Sequence, residues 1–424
     1  MSDKSEPAGL FSVEFLSLCL IFMASFCNVS VFYSFFHYLG AIGIPPAWAG
    51  FLVGLEPMAA FAFRLAVIPW IHARNAFAVM TISLFLLIAV SCSYLWAGNI
   101  ASLAVLRVFH GAVFVLLTST VVALMVVFIP VEKSGQGFST ISIATMIPYA
   151  VMPMLVESAL PYVRNESEIY AGVAVFSAVS LLLSALVYRR TTAALSGKDQ
   201  VLMRRPRFSE IRANFRRQPV AILLSTSLLV YFAHAAVFYF IKDLTLESSG
   251  GEVGSFFTVS MLMMIAVRAA GGAMFDRLDK ARLLQASLSL LVVCLVLLPV
   301  SGSGASFYAI ACLYGACMGV AFPLLNALLF SASAPAMRGL NTNMSLFTMD
   351  AAYFLVPYAG GFLIAAGAGF SRLFQAGAVF IALAALLIFR LRGKAPTTPR
   401  ESGSERIPRP PRSAAAEGKR ANHV

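Results

Sequence analysis

The sequence predicts an all-α membrane protein of twelve transmembrane helices arranged as two parallel six-helix repeats. Three observations lead there. Of 424 residues, 59% are hydrophobic and only 12% are charged, against ~25% charged in soluble domains. Apolar runs recur along the chain at the ~20-residue length that a helix needs to cross a ~30 Å hydrocarbon core. Landmark residues of the first half also return in the second at a fixed offset of 204 positions.

The apolar runs must be helices, because backbone groups in lipid have no water to bond. Their near-continuous hydrophobicity excludes an outer-membrane barrel, whose strands alternate residue by residue. The runs fall at 12–37, 46–70, 76–97, 100–129, 137–160 and 169–188, then at 219–241, 252–274, 283–300, 305–332, 340–365 and 372–390. The chain thus divides into a polar leader (1–11), a six-helix bundle (12–188), a basic linker (189–218), a second bundle (219–390) and a basic tail (391–424). The tail is rich in Pro, Arg, Ser and Ala. It cannot bury an apolar face and is expected to be disordered. The first run lacks a short core with a small-residue cleavage site, so it reads as a retained span rather than a signal peptide.

The net charge of +12 does not indicate a nucleic-acid partner. The basic residues sit in short loops, in the linker and in the tail, where positive-inside orientation accounts for them. The linker holds Arg189, Arg190, Lys198, Arg204, Arg205, Arg207, Arg212, Arg216 and Arg217 against Asp199 and Glu210. Arg74, Arg277, Lys280, Arg282 and Arg338 fall on the same side, and Glu166, Glu168, Asp243, Glu247 and Glu252 on the other. Both termini are therefore expected in the cytoplasm, in a monomer whose surroundings are the bilayer. All six cysteines lie in apolar runs and read as small packing residues rather than disulfide or metal ligands. No metal-binding, nucleophile or phosphate-loop motif occurs in a plausible setting, so neither an enzyme nor a nucleotide-driven pump is expected, and no cofactor.

At the offset of 204, Gly50 meets Gly254, Arg64 meets Arg268, Gly111 meets Gly315, Ala112 meets Ala316, Gly135 meets Gly339 and Pro153 meets Pro357. Glycines and prolines fix helix crossings and kinks. Six spans are an even number, so both halves enter the membrane in the same direction.

Across the end of the eighth run and the turn into the ninth stand Gly272, Asp276, Arg277, Lys280 and Arg282. This spacing resembles the Gly-x-x-x-Asp-Arg-x-x-basic-x-basic loop motif of the major facilitator superfamily. Asp279 takes the place of a family glycine and Ala281 that of a basic residue. Arg107 to Gly111 resembles the family's fourth-helix Arg-x-x-x-Gly pattern, with His110 as the polar residue before the glycine. Pro148 and Pro153 fall where efflux members carry a Gly-Pro motif, but the glycine before Pro153 is missing. Arg338-Gly339, Asp350, Pro357 and Gly360-Gly361 resemble the eleventh helix of some bacterial efflux-type members. The resemblance covers residues 12–390. It implies two bundles related by an axis along the membrane normal, with a shared central cavity. It also implies that the loop motif braces the cytoplasmic side through charge pairs. The first half keeps Ile68, His72 and Ala73 where Gly, Asp and Arg would stand, so that bracing is expected on one side only. Arg64 and Arg268, four residues before the loop glycine position, are expected near the cytoplasmic boundary, snorkelling or bracing the gate.

An ionisable group at the bilayer centre costs at least ~2.5–3.5 kcal/mol on insertion scales, so each one present needs a reason. Glu56 and Asp350 both lie deep in their runs. Either could carry a coupling proton, or serve as a fixed partner of Arg107 or of backbone groups freed beside Pro57. Arg107 and His110 share one helix face. Arg107 either binds an anionic solute or forms an ion pair with Glu56 or Asp350. His234 and Tyr231 share a face of the seventh helix, as a proton relay or as satisfied interior groups. Asn28 and Asn326 could bond a solute or bond helix to helix. Phe32, Tyr33, Phe35, Phe36 and Tyr38, with Phe238, Tyr239 and Phe240, read as an interfacial belt rather than a substrate cage.

The resemblance implies a secondary transporter moving a small organic solute. The efflux-like eleventh helix favours export against inward proton flow. The alternatives are a proton-coupled uptake symporter of the same fold, or a non-transporting membrane receptor or scaffold.

Overall fold

The computed structural model describes residues 10–196, 205–247, 253–302 and 304–392. Most of the leader, the tail from Gly393, and the linker and loop residues Lys198, Asp199, Arg204 and Glu252 lie outside the described residues. Among the described residues, twelve helices are long and apolar enough to cross a membrane. In order they are Val13–Ser34, Trp48–Trp70, Ala73–Trp96, Ile100–Phe128, Val131–Tyr162 and Glu166–Ser196, then Gln218–Ile241, Phe256–Arg277, Lys280–Val300, Ala305–Ala332, Pro335–Ile364 and Phe370–Leu391. They are called the first to twelfth spans below. The sixth continues past residue 188 to Ser196, and a short helix, Phe208–Arg216, lies within the basic segment.

The first span is not one straight rod. Its α-helix ends at Ser30, a 3₁₀ turn covers Val31–Ser34, and a further helix runs over Phe35–Ala41. Phe32 leaves helical geometry at φ −85° and ψ 16°. No proline or glycine marks this break, so the apolar pattern does not announce it. Phe32 and Phe35 turn inward and Tyr38 is buried too, at 3% exposed, which corrects the expectation of an interfacial belt at these three positions. Phe35 is 1% exposed.

Each half has its own core. Leu84, Leu117 and Val121 belong to the first, and Leu288, Met318, Phe374 and Ile381 to the second. The halves repeat one another in their tightest crossings. The second span packs on the fourth, and the eighth on the tenth. A Cβ added at Gly111 would stand 2.5 Å from the Glu56 carbonyl oxygen, and one at Gly315 would stand 2.2 Å from that of Ser260. Ser260 is the residue 204 positions after Glu56. Glycine at both places lets two backbones approach without a side chain between them.

The second and fourth spans meet the eleventh, and the fifth meets the eighth and tenth. Phe138 of the fifth span meets Phe330 of the tenth edge-on at 5.7 Å. Between the second and eleventh spans, the ring of Phe61 lies near-parallel to both Phe347 and Phe354, at 4.9 and 5.5 Å. Several polar contacts between the halves, those of Asp276 and Lys280 with the start of the fifth span, lie on the face of the bundle that carries the loops after the second, fourth, eighth and tenth spans. Twelve spans also bring both ends of the described chain to that face.

Candidate functional site

Proline has no backbone N–H, so Pro57 inside the second span frees the carbonyl of Val53 four residues earlier. Arg107 of the fourth span fills that vacancy. Its Nη2 donates to the Val53 oxygen at 3.2 Å and its Nε to the Leu52 oxygen at 3.2 Å. The Gly111 crossing one turn further along the fourth span holds the two helices close enough for this reach. Arg107 also stands 3.7 Å from a Glu56 carboxylate oxygen, with the rings of Phe32 and Phe35 at 4.8 and 4.9 Å from its guanidinium carbon. Arg107 is 4% exposed and Glu56 7%. The freed carbonyls beside Pro57 therefore go to Arg107, not to Glu56. His110 lies beside this group, its Nδ1 3.3 Å from the Tyr94 hydroxyl and its ring edge-on to Phe32 at 5.3 Å.

Asp350 pairs with Arg64 rather than Arg107. Arg64 Nε donates to its carboxylate, Nη1 donates to Ser119 Oγ at 3.2 Å, and Nη2 donates to Thr118 Oγ1 at 3.4 Å. Arg64 is 1% exposed. Burial corrects the expectation that Arg64 sits at the membrane boundary and snorkels; its bond instead crosses between the halves inside the bundle. A deep carboxylate needs a cation, and Arg64 on the neighbouring span can bend inward to supply it. The bond joins the second and fourth spans of one half to the eleventh of the other. Two buried ion pairs result, Arg64 with Asp350 and Arg107 with Glu56, both anchored on the second span. Tyr149 of the fifth span is 44% exposed, and its ring meets Phe26 of the first span edge-on at 6.1 Å.

On the other half, His234 Nδ1 stands 2.6 Å from the Tyr314 hydroxyl, the two rings nearly parallel. Tyr231 stacks on Phe322 at 4.7 Å, and His234 meets the same ring edge-on. Asn28 gives its amide to the Ala24 carbonyl and accepts from Ser91 and Ser177, tying together the first, third and sixth spans. Asn326 donates to the Phe322 carbonyl of its own helix. Neither asparagine is brought to the charged group by these bonds. Among the described residues, no three His, Cys, Asp or Glu side chains gather where they could hold a metal ion.

The loop-motif residues form a latch between the halves. Asp276 accepts from the backbone N–H of Gly135 at 2.8 Å and of Gln136 at 2.9 Å. These are first-turn donors of the fifth span's helix, Ser134–Ala159, which lack partners within their own helix. The negative carboxylate also suits the positive end of that helix. Lys280 holds Asp276 from the other side at 2.9 Å and donates to Ser134 Oγ at 3.2 Å. Gly272 packs 3.5 Å from Gln136 and Ser139, measured from a Cβ placed on it. Asp279 caps the ninth span's helix, accepting from Ala281 and Arg282 N–H, and pairs with Arg282 at 3.1 Å. An acid at this former glycine position therefore has a local task. Arg277 is exposed. Arg268 is buried and bonds across the interface, with Ser139 Oγ donating to its carbonyl at 2.8 Å and its Nη1 reaching the Ser142 carbonyl at 3.4 Å. The repeat mate of Asp276 is His72, whose ring turns back to the Trp70 carbonyl.

Removing the Asp276 carboxylate should release this latch. Hydrogen bonds to charged groups contribute about 1.5–3 kcal/mol each. Asp276→Ala should therefore shift the population by tenfold or more toward states open on this face. Labelling of a Ser139→Cys probe by a membrane-impermeant thiol reagent should accelerate accordingly. An unchanged labelling rate would show that Asp276 holds nothing closed.

Sequence reasoning overlooked Thr118, Ser119 and Tyr149, and also Met146, whose sulfur lies against the Arg268 guanidinium. Hydroxyls and tyrosines are common in apolar spans, and only tertiary contact selects these. The repeat offers one signal, since Tyr149 and Tyr353 are 204 apart.

A sequence profile described as Major Facilitator Superfamily matches residues 18–349 and again 242–421. No curated protein sequence matches significantly. Among solved structures, the chain is similar to a bacterial homologue of the iron transporter ferroportin in an outward-facing state, at 15% identity and TM-score 0.72, covering 90% of this chain and 100% of that one. It is similar to the human organic anion transporter TETRAN at 16% identity and TM-score 0.67, covering 88% and 98%. It is also similar to the E. coli fucose:proton symporter at 14% identity and TM-score 0.64, covering 89% and 98%.

Proposed function

The chain belongs to the major facilitator superfamily and is an integral membrane transporter, not an enzyme; from that premise we propose that it is a proton-coupled uptake symporter for a small organic solute. The observation that carries this reading is the buried Arg64–Asp350 pair, which crosses from one half to the other. Protonating Asp350 removes the charge that holds Arg64, and so loosens one of the bonds that must part when the halves rock. Proton binding and rearrangement thus become one event. Glu56 stays near Arg107 within a single half and serves as the fixed member of the group.

Alternating access supplies the frame: the halves rock about a central site. We place the latched face in the cytoplasm, because Arg189, Arg190, Arg205, Arg207, Arg212, Arg216 and Arg217 lie on that side. The conformer is then outward-facing, a reading supported by its likeness to the outward-facing ferroportin homologue. Symport is the coupling named for the E. coli fucose:proton symporter of the same fold. Export is the second reading, favoured by the efflux-like pattern of Arg338, Gly339, Asp350 and Pro357 along the eleventh span.

Flux into proteoliposomes under an imposed proton gradient separates the two. Symport predicts that solute accumulates on the side protons enter and that an ionophore collapses the gain. Accumulation against proton entry would establish export instead.

A further inference from the structure

The two halves correspond position by position, and at one place the correspondence fails in charge. In the first half, the Arg64 guanidinium is met by Asp350, Thr118 and Ser119. The residues 204 positions away are Arg268 for Arg64, Phe322 for Thr118, and Met146 standing to Asp350 as first half to second. The geometry is kept: Arg268 Nη1 lies 2.6 Å from the Met146 sulfur, and its guanidinium carbon lies 5.7 Å from the centre of the Phe322 ring. The chemistry is not kept. A thioether is a weak acceptor with no charge, and the other contacts of Arg268 are backbone carbonyls at 3.4 and 3.5 Å. Arg268 is 4% exposed, its Nε has no hydrogen-bond partner, and among the described residues no carboxylate stands within ion-pair distance.

A buried guanidinium in this condition lacks a counter-charge. We propose that Arg268 docks the carboxylate group of a small organic anion, and that this anion is the solute carried. The proposal deepens the symport reading by naming the substrate class. A carboxylate is indicated over other anions because the repeat-related pocket at Arg64 already holds one. Its two oxygens match the guanidinium fork. Met146 closes the pocket with an unbranched side chain on three rotatable bonds, which can swing aside. Tyr231 stacks on Phe322, the ring that Arg268 itself faces.

The test is equilibrium binding to the purified full-length protein in detergent, read as a shift in melting midpoint. Benzoate, lactate and succinate are each compared with their uncharged partners benzamide, lactamide and succinamide. At least one carboxylate should stabilise the wild type, and its amide should not. Met146→Asp places an internal carboxylate where the first half has its own. It should raise the basal melting midpoint and weaken that carboxylate's binding by roughly 10- to 100-fold, the loss of a charged hydrogen-bonded partner. Arg268→Gln should lose binding to the same degree. If no carboxylate stabilises the wild type, or if Met146→Asp binds as tightly as the parent, the proposal falls. No proton gradient enters the measurement, so a failure of symport in vesicles and a failure here are separate results.

Discussion

Replacing Asp350 by Asn should abolish proton-driven accumulation and also destabilise the protein. Both effects come from one geometry. The carboxylate is 8% exposed and its cation, Arg64, 1%. Breaking such a buried pair from one side costs about 3–5 kcal/mol, because the remaining charge is left without compensation. Thr118 and Ser119 still accept from Arg64, but neither carries a negative charge. A loss of transport in Asp350→Asn alone could therefore reflect misfolding. The double variant Arg64→Gln with Asp350→Asn removes both charges and should recover most of the melting midpoint. It should still be unable to couple flux to protons, while retaining exchange of solute across the membrane with no gradient imposed. Full coupling in either variant would remove Asp350 from the mechanism.

The second large effect is expected from a glycine. A Cβ on Gly315 would stand 2.2 Å from the Ser260 carbonyl oxygen and 2.8 Å from the Ser260 Cα. Those are backbone atoms of a packed helix and cannot rotate away. Gly315→Val should part the eighth and tenth spans and cost at least about 3 kcal/mol, the upper end of overpacking penalties. Little folded protein should survive extraction. Gly50 provides the contrast, since nothing lies within 4 Å of a Cβ placed on it. Gly50→Ala should be neutral, or stabilise by about 0.5–1 kcal/mol through its helix position. Gly50 and Gly315 were equal as repeat landmarks, so similar melting midpoints for the two variants would show that the crossing tolerates a side chain.

These residues also show where sequence reading stops. The twelve spans were legible because lipid leaves the backbone one solution over each apolar run. The repeat was legible because Gly111 and Gly315, or Arg64 and Arg268, do the same mechanical work twice. Partner choice was not legible. Arg107, Arg64, Glu56 and Asp350 admit several pairings on paper, and the one adopted depends on how Pro57 opens the second span and on which face of the eleventh span meets it. The motif placed Asp276 in a turn, whereas it lies in the last turn of the eighth span's helix, and its engagement of Gln136 crosses 140 residues of chain. The inward turn of Phe32 had no local signal at all.

The stack of Phe61 between Phe347 and Phe354 bears on how fast the halves can move. Ring contacts have no donor or acceptor to satisfy, so sliding one helix past the other exchanges similar contacts throughout. That seam behaves as a bearing. The directional bonds across the interface lie elsewhere, at Asp350 with Arg64 and at Asp276 with Gly135 and Gln136, and under the proposed mechanism those bonds must break before the halves can slide along this seam.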